Sequence, residues 1–140
     1  MGQKSGVTTR DAPAGAAAAQ AVRSGSLVFV SGQTGSDPAT GVLAADLAEQ
    51  TRRLFANVDA ILAAAGCTNA DLVAVTLKFT DLSFFREVDA IYIRWLPPWS
   101  DSPLPTTTAF VVDALPGGAL VELDAVAAIP DQGASSALQN

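Results

Sequence analysis

Two segments of this chain, Leu27-Val28-Phe29-Val30 and Leu72-Val73-Ala74-Val75-Thr76-Leu77, are apolar at almost every successive position. Side chains alternate sides along a strand, so short runs of this kind read as strands buried on both faces. The rest of the sequence offers only two helical stripes, and two helices cover one face of a sheet. In a chain of 140 residues the second face needs cover from outside, and the expected cover is another copy of the chain. The pattern predicts an α+β domain with two helices on one face of a largely antiparallel or mixed sheet, assembled as an oligomer.

The helices are legible from spacing. Asp46, followed three residues later by Glu49, resembles a capping box and opens a stripe of Leu47, Leu54, Phe55, Val58, Ile61, Leu62 and Ala65, which Gly66 stops. The second helix is expected to begin near Asp81 or Ser83 and to run to Trp95, with Pro97-Pro98 ending it. Strands are expected over 20–23, 27–32, 72–79, 107–112 and 120–129. The order is then β-β-α-β-α-β-β. Met1 to Arg10 and Asp131 to Asn140 are rich in Gly, Ser, Gln and Asn. They read as flexible tails (1–11 and 131–140) around a single domain at 12–130.

Composition removes whole classes of chemistry. The chain has no His and one Cys, Cys67. That excludes a Ser–His–Asp triad, a His-ligated zinc, an imidazole base and an intrachain disulfide. A net charge of −6 argues against an electrostatic footprint for nucleic acid or anionic lipid. No apolar leader follows the polar first ten residues, and Ala16 to Ala19 is too short to cross a bilayer. The expectation is a cytoplasmic protein without metal or organic cofactor, whose chemistry falls to carboxylates, hydroxyls and backbone groups.

Several short stretches, in order, carry a family resemblance. They are Gln20-Ala21-Val22, Phe29-Val30-Ser31-Gly32-Gln33, Asp37-Pro38-Ala39-Thr40-Gly41 and Glu49-Gln50-Thr51 with Asn57. Val75-Thr76 then leads to Thr80-Asp81, Val88-Asp89-Ala90-Ile91-Tyr92 follows, and Leu115-Pro116 precedes Ala119-Leu120-Val121-Glu122. Together they resemble the YjgF/Rid family, the reactive-intermediate deaminases, over roughly Ala12 to Ile129. The resemblance implies a chorismate-mutase-like fold, a homotrimer with a barrel core, and small-molecule clefts between subunits.

It also implies site residues. Glu122 matches the family's acidic residue, which positions or activates water for attack on an imine carbon. Ser31 and Gly32 would position the ligand. The Arg that grips a substrate carboxylate in a Pro-x-Arg-Ser/Thr stretch is Thr107 here, within Pro105-Thr106-Thr107-Thr108. Thr cannot supply a planar, permanently charged fork. The family's Tyr falls on Ala18 and its helix-two Asn on Asp89. Thr107 and Thr108 are expected to shape the former Arg pocket, with Phe85 and Asp89 completing the ligand-binding set. The residues alone also admit plainer roles: Glu122 as a solvent-facing strand carboxylate beside Asp124, Asp89 as a partner of Arg86 or Arg94, and Lys78 or Arg23 as surface charges rather than replacement cations. The expected function is hydrolytic deamination or tautomerisation of an enamine or imine with no carboxylate-binding Arg. A pathway-specific lyase, cyclase or aminomuconate-type deaminase, or a non-catalytic ligand-binding or chaperone-like trimer, are the alternatives. RNA cleavage lacks both its attraction and its usual base.

Overall fold

The apolar stripe of the first helix, α1 (Leu47–Ala64), buries Leu54, Phe55, Val58, Ile61 and Leu62. Asp46 caps it, its carboxylate accepting from the Glu49 N–H at 2.9 Å, and Gly66 leaves it with a positive φ of 81°. These features appear in a computed structural model that describes residues 3–98 and 102–131. Six strands form one mixed sheet: β1 (Lys4–Val7), β2 (Ala21–Ser24), β3 (Leu27–Gln33), β4 (Leu72–Phe79), β5 (Thr106–Val111) and β6 (Val121–Ala128). Their spatial order is β1-β2-β3-β6-β4-β5, and only the β4–β5 pair is parallel. The second helix, α2 (Phe85–Trp95), lies beside α1 and buries Val88, Ile91 and Tyr92.

Both helices cover the same face, which carries Val28, Val30, Val75, Leu77, Phe79, Val121, Leu123 and Ala125. Among the described residues nothing covers the opposite face, and Leu27, Phe29 and Phe110 lie on it 37–47% exposed. The second cover expected for β3 and β4 is not supplied by the described residues of one chain. Their burial alternates because the described residues cover one side only.

One boundary needs correction. Lys4–Val7, expected as part of a flexible tail, pairs in register with Ser24–Ala21 as the edge strand. Its Lys-Ser-Gly-Val sequence is largely exposed, so no apolar alternation announces it. The expected C-terminal tail beyond Asp131 lies outside the described residues. Among the described residues, no helix is long and apolar enough to cross a membrane.

Candidate functional site

β6 alternates between the two sides of the sheet. Val121, Leu123 and Ala125 enter the core, and Glu122 and Asp124 point to the open face. Antiparallel register places Lys78 directly opposite Glu122, and Thr76 opposite Asp124. The Lys78 ammonium donates to Glu122 Oε1 at 3.3 Å and sits 3.5 Å from Asp124 Oδ2. The Glu122 side chain is 13% exposed and that of Asp124 40%. Lys78 is thus neither a free surface charge nor an idle cation. Burial pulls its pKa down, but the two carboxylates outweigh this and hold it above the ordinary 10.5.

A raised lysine pKa stabilises the fold fully below the unfolded value and ceases to do so as pH rises through the folded one. Lys78→Met is accordingly expected to lower the melting temperature at pH 8. The gap from wild type should narrow as the pH climbs past 10.5. Melting curves across that range check it, and a gap that stays constant into strong alkali would contradict the pairing.

On the other side of Glu122, β3 carries a bulge. Val30 faces Ala125 and Gln33 faces Leu123, so Ser31 and Gly32 together oppose one residue of β6. A Cβ at position 32 would lie 2.9 Å from Glu122 Cδ and 3.1 Å from both its oxygens. Only glycine lets the carboxylate lie against the strand. Ser31 donates its hydroxyl to Ala19 O at 2.5 Å, and its N–H to Gln20 O at 2.9 Å. A hollow of about 180 Å³ adjoins the bulge, lined by Ser31, Gly32 and the Ala14–Ala19 loop. Gln20 anchors that loop. Its buried amide accepts from Thr9 N–H at 2.7 Å and lies 2.9–3.0 Å from the carbonyls of Thr9, Ala12 and Pro13.

The remaining expected residues divide between the two sides of the sheet. Thr108 registers with Thr76 on the Glu122 side. Thr107 registers with buried Val75 on the helix side, where its hydroxyl meets the Tyr92 hydroxyl at 2.8 Å. Phe85 packs edge-on against Phe79 there, with ring centroids 5.9 Å apart. Burial raises the Tyr92 pKa, the Thr107 hydrogen bond opposes this, and the Asp89 charge adds to it. Asp89 therefore stands with Tyr92 and Thr107, and forms no carboxylate couple with Glu122 within one chain. Arg23 donates to Gly25 O near the β2–β3 turn. Trp95 stacks on Phe55 at 4.5 Å and donates its indole N–H to Asp59, so it packs between the helices. Among the described residues no cluster of three or more His, Cys, Asp or Glu is placed to hold a metal.

Two features of this site escaped the sequence. The Lys78–Glu122 pairing depends on two residues 44 positions apart, and only the β4–β6 register joins them. The Gln20 anchor looks in sequence like any polar residue before a strand.

Comparison with known proteins agrees with this architecture. Residues 9–129 match the family model described as Endoribonuclease L-PSP. A RutC family protein of Sinorhizobium fredii is 38% identical over 122 residues, covering 86% of this chain and 94% of that protein. The bovine (Bos taurus) 2-iminobutanoate/2-iminopropanoate deaminase is 35% identical over 123 residues, 86% of this chain and 87% of the relative. The crystal structure of RidA from the Antarctic bacterium Psychrobacter superposes with a TM-score of 0.84 at 35% identity. It covers 89% of this chain and 99% of that one.

Proposed function

This chain belongs to the Rid family, also described as YjgF/RutC or endoribonuclease L-PSP, and from that membership we propose that it hydrolyses or tautomerises a reactive imine or enamine, with Glu122 as the acid–base group. The observation that carries the reading is the Glu122 carboxylate itself. It is largely shielded, ion-paired to Lys78 and seated against Gly32, at the edge of a strand bulge. In the hydrolytic reaction a water oxygen adds to the imine carbon while its proton passes to the Glu122 carboxylate. That proton then goes to the substrate nitrogen, giving a carbinolamine; as its C–N bond breaks, the hydroxyl proton also passes to nitrogen by way of Glu122, so that ammonia leaves a carbonyl product. Water is the only co-reactant. Ser31 and Gly32 position the ligand.

The assembly proposed is a cytoplasmic homotrimer with its clefts between subunits. Two observations support it. The open sheet face carries Leu27, Phe29 and Phe110 without cover from the described residues of the same chain. Glu122 and Thr108 lie on one side of the sheet and Thr107, Asp89 and Phe85 on the other, so the two groups meet only if different subunits bring them together. In such a cleft Thr107 replaces a cationic fork with a hydroxyl.

The test is an assay with freshly generated 2-iminobutanoate, following ammonia and 2-oxobutanoate against the buffer rate. Wild type is expected to accelerate release. Thr107→Arg is expected to lower KM for this carboxylate substrate more than it changes kcat, because it adds binding common to ground and transition states. No acceleration by wild type, together with a gain in Thr107→Arg, would mean an intact scaffold assigned to different chemistry.

A further inference from the structure

We propose that Arg10 and the cavity it lines form an anion subsite that takes the carboxylate of a small ligand bound beside the Ser31–Gly32 bulge. This rests on the reading of Glu122 as the reacting end, and it supplies what Thr107 lacks. A cavity of about 490 Å³ is lined by Thr8, Thr9, Arg10 and the small residues of the Ala14–Ala19 loop. It shares Ala14, Gly15, Ala18, Ala19 and Gln20 with the hollow lined by Ser31 and Gly32, so one loop borders both spaces.

The cations elsewhere are engaged or distant. Lys78 is held by Glu122 and Asp124, Arg53 pairs with Asp37 at 2.9 Å, and Arg23 serves its own turn. Lys4 is on edge strand β1, three strands from β6. Arg52 and Arg94 line a groove between α1 and α2, and Arg86 is on α2. Arg10 forms no ion pair among the described residues. Its acidic neighbour Asp11 has its backbone N–H tied to Thr9 Oγ1 at 3.1 Å. The backbone that carries Arg10 is also fixed, because the buried Gln20 amide bonds to Thr9 on one side of it and to Ala12 and Pro13 on the other. A cation on a fixed loop loses less freedom on binding than one on a loose tail. One guanidinium matches one carboxylate, which it engages through two parallel N–H bonds. The small loop side chains leave the space for such a group.

The test measures binding, so it does not depend on turnover. The full chain, as wild type, Arg10→Ala and Arg10→Lys, is titrated with 2-oxobutanoate and with butanone, its uncharged counterpart. Wild type is expected to bind 2-oxobutanoate saturably, and Arg10→Ala to weaken that by about tenfold or more. Arg10→Lys should restore part of the loss, because a point charge lacks the fork. Butanone should respond to neither change. Equal affinity of wild type and Arg10→Ala for 2-oxobutanoate, or no saturable binding to wild type, overturns the subsite. Binding that depends on Arg10 without ammonia release from the imine sinks the deaminase reading and leaves the subsite standing. Turnover indifferent to Arg10 does the reverse.

Discussion

Glu122→Gln is expected to slow ammonia release from 2-iminobutanoate by about 100- to 10,000-fold, the usual contribution of a positioned proton-transfer group. The substitution is close to isosteric. An amide oxygen still accepts from the Lys78 ammonium, and the side chain still lies against Gly32 without a Cβ to displace it. What disappears is the negative charge and the capacity to take a proton from water. Lys78 keeps Asp124 as a counter-ion at 3.5 Å, so the open face is not left with an uncompensated cation. The melting temperature should therefore stay within a few degrees of wild type while kcat collapses. Stopped assays on imine generated in place, paired with melting curves of the same preparations, separate the two effects. Undiminished turnover would remove Glu122 from the chemistry, whatever the family resemblance implies.

The second large effect falls on the fold. Gly35→Ala is expected to cost about 3 kcal/mol, at the upper end of the usual range for overpacking, and to lower the melting temperature by roughly 10 °C. A Cβ at this position would lie 2.4 Å from both Cα and O of Gln50, which are backbone atoms of the first turns of α1. No side chain is there to swing aside. Neighbouring bonds hold the contact in place. Asn57, 1% exposed, donates to the carbonyls of Thr34 and Ser36, and Gln50 joins the Ala44 carbonyl to the Leu120 N–H. Relief needs α1 to lift from the segment that follows β3, which breaks buried hydrogen bonds as well as packing. Denaturant unfolding at matched protein concentration reads the loss, since self-association would add its own stabilisation. A cost below about 1 kcal/mol would show that helix and loop separate more readily than their hydrogen bonds require.

Gly32 and Gly35 look alike in the sequence and differ in what they admit. Gly32 makes room for a carboxylate, and Gly35 for a helix backbone. Neither role is visible without the neighbour, because a glycine's reason lies in what approaches it. The helices were legible for the opposite reason. The stripe from Leu54 to Leu62 and that of Val88, Ile91 and Tyr92 repeat every three or four residues, and a helix presents such a repeat to one side whatever lies there. Strand β1 stayed hidden because an exposed edge strand needs no apolar alternation. The apolar runs of β3 and β4 identified strands and a second face in need of cover, which the described residues of one chain do not provide.

By itself the sequence determined the helices, most of the strands, the α+β class and the exclusion of imidazole chemistry. These follow from local periodicity and residue chemistry, which are properties of neighbours along the chain. Only the tertiary structure decided that β6 lies between β3 and β4, that Lys78 faces Glu122, that Thr107 and Glu122 point to opposite sides of the sheet, and that Arg10 lines a cavity bordered by the same loop as the hollow at Ser31. Each depends on register between segments distant in sequence. A shift of one residue in that register would turn Glu122 into the core and Leu123 out of it, and the buried side chains of β6 hold it where it is.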